Sequence, residues 1–129
     1  MNPRKEVAEQ IKADNSAFTV LDYPATLPLN INNGKVRVSV YRTSFEVNDN
    51  NSQITHNLKV EILISRASSA QAEDELDAVV DKVMLSLERM PDVYWQEAKR
   101  YTESEKFDAY EISLIAIRKQ VYKSQTLSS

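Results

Sequence analysis

"HNLKVEILISRASSAQAEDELDAVVDKVMLSLERM", residues 56–90, changes its hydrophobic period halfway along. Leu58, Val60, Ile62 and Ile64 recur at every second position, which is the spacing of a strand with one face turned to a core. From Ala72 the spacing lengthens: Leu76, Val79, Val80, Val83, Leu87 and Met90 follow at intervals of three and four, forming one apolar stripe on a helix. Pro91 cannot continue a helical hydrogen-bond ladder and ends it. A strand that passes directly into a long amphipathic helix sets the frame into which the rest of the chain must fit.

Upstream, "KVRVSVYR", residues 35–42, repeats the strand pattern, with Val36, Val38 and Val40 on one side and Arg37, Ser39 and Tyr41 on the other. This strand and the one beginning at His56 are expected to pair antiparallel across a polar loop, Thr43 to Gln53. Before them, "AFTVLDY", residues 17–23, reads as another strand, followed by "PATLPLNINNG", whose prolines and Asn33-Gly34 mark an extended connection and a turn. At the start, Asn2 caps and Pro3 opens a short helix with Val7, Ala8 and Ile11 as its apolar face. Downstream of the long helix, "VYWQEAKRY" and "FDAYEISLIAIRK" are two further strands separated by "TESEK". The order is helix, strand, strand, strand, helix, strand, strand: an α+β fold with two helices packed on a mainly antiparallel sheet. A single domain over residues 1–118 and a mobile tail over 119–129 are expected.

Composition narrows the chemistry. The chain has 129 residues, no cysteine, one histidine (His56), one glycine (Gly34) and a net charge of −3. Without cysteine there are no disulfides, thiolate metal sites or cysteine nucleophiles, and one histidine cannot supply a zinc site's usual nitrogen ligands. One glycine removes the phosphate-binding loops, which need several. The acidic balance argues against gripping a phosphate backbone by counterion release. The first sixteen residues are charged and polar, and no apolar run approaches the ~18 residues of a membrane span, so neither an export signal nor membrane association is expected.

The long helix packs Glu73, Asp74, Glu75, Asp77 and Asp81 into a short stretch, a pattern that raises the question of a carboxylate site. On a helical wheel, Asp74, Asp77, Asp81 and Glu88 fall together on one flank of the apolar stripe, facing water or a neighbour. The carboxylates of the first turn meet the positive end of the helix dipole, and Ser68 with Gln71 can form a capping box. A magnesium site would have to join Asp74, Asp77 or Asp81 to a sheet carboxylate such as Glu61 or Glu111. His56, at the start of a strand pattern, reads as a surface residue. Tyr94, Trp95 and Tyr101 could stack on bases, but no basic patch surrounds them, and packing is the simpler use. No catalytic residue, cofactor or metal emerges.

The second face of the sheet is more informative. With the valine and leucine rows turned to the helices, the opposite face carries Tyr41, Leu63, Ile115 and Ile117, and Leu85 lies opposite the helix's buried stripe. These five residues are candidates for contacts between copies of the chain.

The phrases "FTVLDYPATLPL", "KVRVSVYRTSF", "HNLKVEILIS", "AEDELDAVVDKVMLSLERMPDVYWQEA" and "FDAYEISLIAI", in this order after a short helix, resemble the tail terminator proteins of long-tailed, non-contractile phages, closest to those of phages of actinobacteria. The resemblance runs from about residue 4 to residue 118, and the Asn-rich stretch 48–53 departs from it. It implies a virion structural protein, not an enzyme: a ring, usually of six subunits, on the head-proximal end of the tail tube. Such a ring stops polymerisation of the tube protein and presents a surface to the neck, or connector, proteins. It requires no cofactor.

Three features of the residues suit that role. An apolar sheet face and Leu85 on another side provide the two unlike patches a ring contact needs. DNA must pass without specific binding, and Asp74, Asp77, Asp81 and Glu88 are candidates for an acidic surface or channel lining that repels phosphates. The loop holding Phe45, Asn48 and Asn50 is the candidate contact with the tube. The alternatives are another neck or head-completion protein, a small magnesium-dependent nucleic-acid enzyme, and an acidic adaptor of a host protein.

Overall fold

The computed structural model describes residues 2–24, 36–49, 51–65, 70–104 and 107–122. Its elements are α1 (Pro3–Asp14), β1 (Thr19–Leu21), β2 (Val36–Val47), β3 (Gln53–Ser65), α2 (Ala70–Glu88), β4 (Val93–Ser104) and β5 (Phe107–Lys119). The five strands form one sheet in the order β1-β2-β3-β5-β4. All neighbours are antiparallel except β1 and β2. The element order and the α+β class are those read from the sequence.

Each helix forms for reasons visible in its ends. The Asn2 side chain accepts a hydrogen bond from the Arg4 backbone N–H at 3.0 Å, and Pro3 occupies the first turn, where its missing N–H costs nothing. Val7, Ala8 and Ile11 are buried along one side. In α2 the buried residues Leu76, Val79, Val83 and Leu87 keep the three-and-four spacing, and the last turn relaxes through Arg89 and Met90 before Pro91. Of the capping pair, Ser68 lies outside the described residues, and the side chain of Gln71 is not described either.

The helices cover one face of the sheet. Val36, Val38, Val40, Leu58, Val60, Ile62, Ile64, Ile112, Leu114 and Ala116 meet them there in one continuous core, which Phe18 and Val93 also enter. Fully burying each such side chain contributes about 1.5–3 kcal/mol, so this layer supplies most of the drive to fold.

Several strands differ from their expected extents: β3 begins at Gln53, and β4 runs on to Ser104 into the stretch read as a turn. β1 holds only three residues, Thr19–Leu21, beside Arg37–Ser39. β2 runs on to Val47, because the extended start of β3 gives it a partner: Ser44, Phe45, Glu46 and Val47 pair with Asn57, His56, Thr55 and Ile54. The expected loop from Thr43 to Gln53 is therefore mostly a hairpin arm, with only a short turn after Val47. Asn48 holds that turn, with its N–H donating to the Gln53 carbonyl at 2.9 Å and its side-chain oxygen accepting from Thr55 Oγ1 at 2.7 Å. Asn51 takes φ of 60°, a left-handed conformation that asparagine tolerates better than most residues. β5 accompanies the arm to Lys119, and the Gln120 N–H donates to the Ser52 carbonyl at 2.8 Å.

Candidate functional site

Pleating assigns every strand residue to a face. Arg37, Ser39, Tyr41, Lys59, Glu61, Leu63, Ala109, Glu111, Ser113, Ile115, Ile117, Tyr94 and Tyr101 point away from the helices. This outer face is not one apolar surface but is divided by a polar belt. Tyr41 donates its hydroxyl hydrogen bond to Glu61, and Lys59 bridges Glu111 at 2.8 Å and Ser113 at 2.9 Å. Burial, and then the Glu61 carboxylate, push the Tyr41 phenol above its ordinary value of 10.0, so it stays protonated as a donor.

The belt separates two apolar ends. At one, Leu63 is only 2 % exposed, buried with Ala109 and flanked by Tyr101. Leu63 is thus already covered by its own chain and supports Tyr101 rather than offering surface. At the other end Ile115 and Ile117 are half-buried, and Tyr94, across the ladder from Ile115, is 52 % exposed. Leu85 stands alone on the outer side of α2 at 62 % exposure, beside a shallow groove lined by Asp14, Asn15, Phe18, Ser86 and Arg89. Asp14 ties the two helices there, accepting from Ser86 Oγ and from Arg89, each at 2.7 Å.

Asp74, Asp77, Asp81 and Glu88 are all exposed on α2, as their spacing predicts. Glu88 accepts a hydrogen bond from the Trp95 indole at 3.0 Å, which fixes the aromatic ring against the helix. No group of three metal-ligating side chains occurs among the described residues. The reason is topological: Glu61 and Glu111 lie on the outer face, and the sheet stands between them and the carboxylates of α2. Glu73 is engaged otherwise, receiving both nitrogens of Arg100 at 2.6 Å, while Arg100 also reaches Asp108 at 3.2 Å. That junction of α2, β4 and β5 was not legible in the sequence.

His56 is not a surface residue. It lies on the helix side of the arm and is 6 % exposed, with its ring stacked 5.8 Å from Phe45 and its Nδ1 3.3 Å from Arg42. The Arg42 guanidinium sits 4.2 Å from the centre of the Phe45 ring, and the Tyr122 ring lies tilted against Phe45 at 5.8 Å. Phe45, still 45 % exposed, is therefore a fixed ledge on a strand rather than a mobile anchor. Asn48 braces the turn, and Asn50 lies outside the described residues. Continued alternation back to Ile54 was the available signal for the arm, because β3 could not remain extended there without a neighbour.

Burial, followed by Arg42 and Arg118, lowers the His56 pKa from its ordinary 6.5, so the folded chain holds the ring neutral. The unfolded chain then binds more protons as pH falls past that value, and the stability His56 gives above it is lost on acidification. The thermal midpoint is expected to fall between about pH 7.5 and about pH 5.5, and less steeply in His56→Gln. Equal slopes in the two proteins would remove His56 from that dependence.

No helix among the described residues is long and apolar enough to cross a membrane. The sequence matches no known family model and no curated protein. Among solved structures, a chain described as "Virion of native gene transfer agent (GTA) particle" superposes with a TM-score of 0.51 at 15 % identity, over 91 % of this chain and 94 % of that one. A second, the sheath/tube terminator of an extracellular contractile injection system in its extended state, aligns over 93 % of this chain and 59 % of that one, at 12 % identity. Its TM-score is 0.33. The first likeness runs nearly end to end on both chains, and the fold of the present protein is that of a gene transfer agent virion component.

Proposed function

We propose that this chain is a tail terminator, a non-enzymatic protein of a virion. Copies of it form a ring, six in number by the resemblance, on the head-proximal end of the tail tube. The ring stops addition of tube protein and receives the neck or connector. The observation that carries this reading is the end-to-end likeness in fold to a gene transfer agent virion chain, which agrees with the sequence resemblance over residues 4 to 118.

The surfaces are of the right kind. Leu85 on α2, and Ile115 and Ile117 with Tyr41 on the outer face, provide unlike patches on different sides, as a closed ring requires. Phe45 and Asn48 sit on the arm, at an exposed end of the sheet suited to meeting the tube. The exposed row Asp74, Asp77, Asp81 and Glu88 repels phosphates and lets DNA pass without binding. Among the described residues, the carboxylates of α2 and those of the outer face lie on opposite sides of the sheet, and the one histidine is stacked under Phe45.

The test is electron microscopy of lysates from the source phage carrying an early stop codon in this gene. Tails of abnormal and variable length without heads are expected. Tails of normal length that fail to join heads would move the protein to the neck, and normal infectious virions would end the proposal.

A further inference from the structure

Among the described residues, the sheet has two stretches of edge with no strand beside them. On one side β4 is a full-length edge strand, and Tyr94 to Arg100 are all exposed. On the other, β1 pairs only with Arg37–Ser39, which leaves the backbone edge of β2 from Val40 to Val47 without a strand beside it among the described residues. Long open edges present unpaired N–H and C=O groups and are ordinarily short, covered or paired.

These two open edges match. Following the ladders across the sheet, Val40 stands level with Ala98, Tyr41 with Glu97, Arg42 with Trp95, Ser44 with Tyr94 and Phe45 with Val93. The open half of β2 and the exposed half of β4 therefore occupy the same height. Their directions fit as well: β2, β3, β5 and β4 alternate strictly, so a copy rotated about an axis along the strands brings its β2 antiparallel to this β4. The same rotation keeps helix side with helix side. Each edge strand also carries an irregularity at this height, between Arg42 and Ser44 in β2 and between Trp95 and Glu97 in β4. Bulges of this kind bend and twist a strand, which is what a sheet needs in order to curve from one copy to the next. The side chains agree: Arg42 of one copy arrives beside Trp95 and Glu88 of the next, a cation beside an aromatic ring and a carboxylate.

We infer that neighbouring copies of this chain join edge to edge, the open half of β2 adding to β4 as an antiparallel strand, so that the sheets run continuously around the assembly. The inference rests on the ring reading above and assigns its contact. One head-to-tail contact uses both edges, whereas a two-fold pairing of β4 with β4 leaves the β2 edge open.

The chain has no cysteine, so introduced thiols report cleanly. Ser44→Cys combined with Tyr94→Cys tests level pairing, and Ser44→Cys with Glu97→Cys tests pairing shifted along the strand; all three positions are exposed and on the outer face. Tails assembled with each double variant are treated with a mild oxidant and run under non-reducing conditions. A ladder of covalent oligomers from one of the double variants is expected, with only dimers when the matching single variants are mixed. A ladder in tails of irregular length would support the strand pairing while removing the terminator role. Rings of normal appearance and tails of normal length without crosslinks in either double variant would overturn the pairing and leave the role standing. A Glu97→Cys single variant that links to itself would show β4 meeting β4 and also overturn it.

Discussion

Ile62→Ala should lower the stability of the folded chain by about 2–5 kcal/mol, a large part of the ~5–15 kcal/mol that holds a typical domain together. Ile62 has no exposed surface and lies in β3, the middle strand of the sheet, where it packs in the same core as the α2 stripe and β5. Removing its branched side chain loses transfer free energy and leaves a void, since strands on both sides and helices above hold their positions. Denaturant unfolding measures the change directly. Leu63, the next residue, tests the two-faced description. It is equally buried but belongs, among the described residues, to the small outer-face cluster with Ala109 and Tyr101, so Leu63→Ala should cost less than Ile62→Ala. Equal losses would mean that the outer cluster is as tightly packed as the core between sheet and helices.

That contrast also shows how far the sequence could be read. The rows Val36-Val38-Val40 and Leu58-Val60-Ile62-Ile64 alternate because one face of each strand meets the helices, and α2 repeats at its own period for the same reason. Burial therefore writes these elements into the order of residue types. The arm has no such imprint. Residues Arg42 to Val47 are all exposed, so the alternation of Phe45 and Val47 is not reinforced by burial, and their strand conformation comes from pairing with β3. Leu63 was correctly placed on the outer face by alternation, but its cover comes from Tyr101, far along the chain. His56 illustrates the same limit: a polar residue reads as exposed until the chain returns to stack Phe45 on it. Among the candidate site residues, the exposure of Asp74, Asp77, Asp81, Glu88 and Leu85 was legible because a helical wheel needs only local geometry. The Glu73, Arg100 and Asp108 junction was not, because it joins three elements through charged groups whose spacing along the chain has no period.

In the ring proposed above, Leu85 separates assembly from folding: Leu85→Lys should abolish capping while leaving the isolated chain as stable as before. At 62 % exposure the leucine contributes little to the core, so its loss removes little buried apolar area. Lysine is nearly as good a helix former, and it would stand one turn after Asp81 and three residues before Glu88, both exposed on the same helix. Each such pair is worth about 0.2–0.5 kcal/mol, which offsets the small apolar loss. The same substitution places a hydrated charge where a neighbouring subunit would have to cover an apolar side chain, and burying an unpaired charge costs far more than either term. The expected result is an unchanged thermal midpoint in the purified protein and, in phage carrying the variant, tails as irregular as those of the stop-codon mutant. Leu85→Met, which keeps the apolar contact, should restore normal tail length. If Leu85→Lys phage make tails of normal length, Leu85 lies outside the ring contact, and the assembly would have to be held by the sheet edges and the half-buried Ile115 and Ile117 alone.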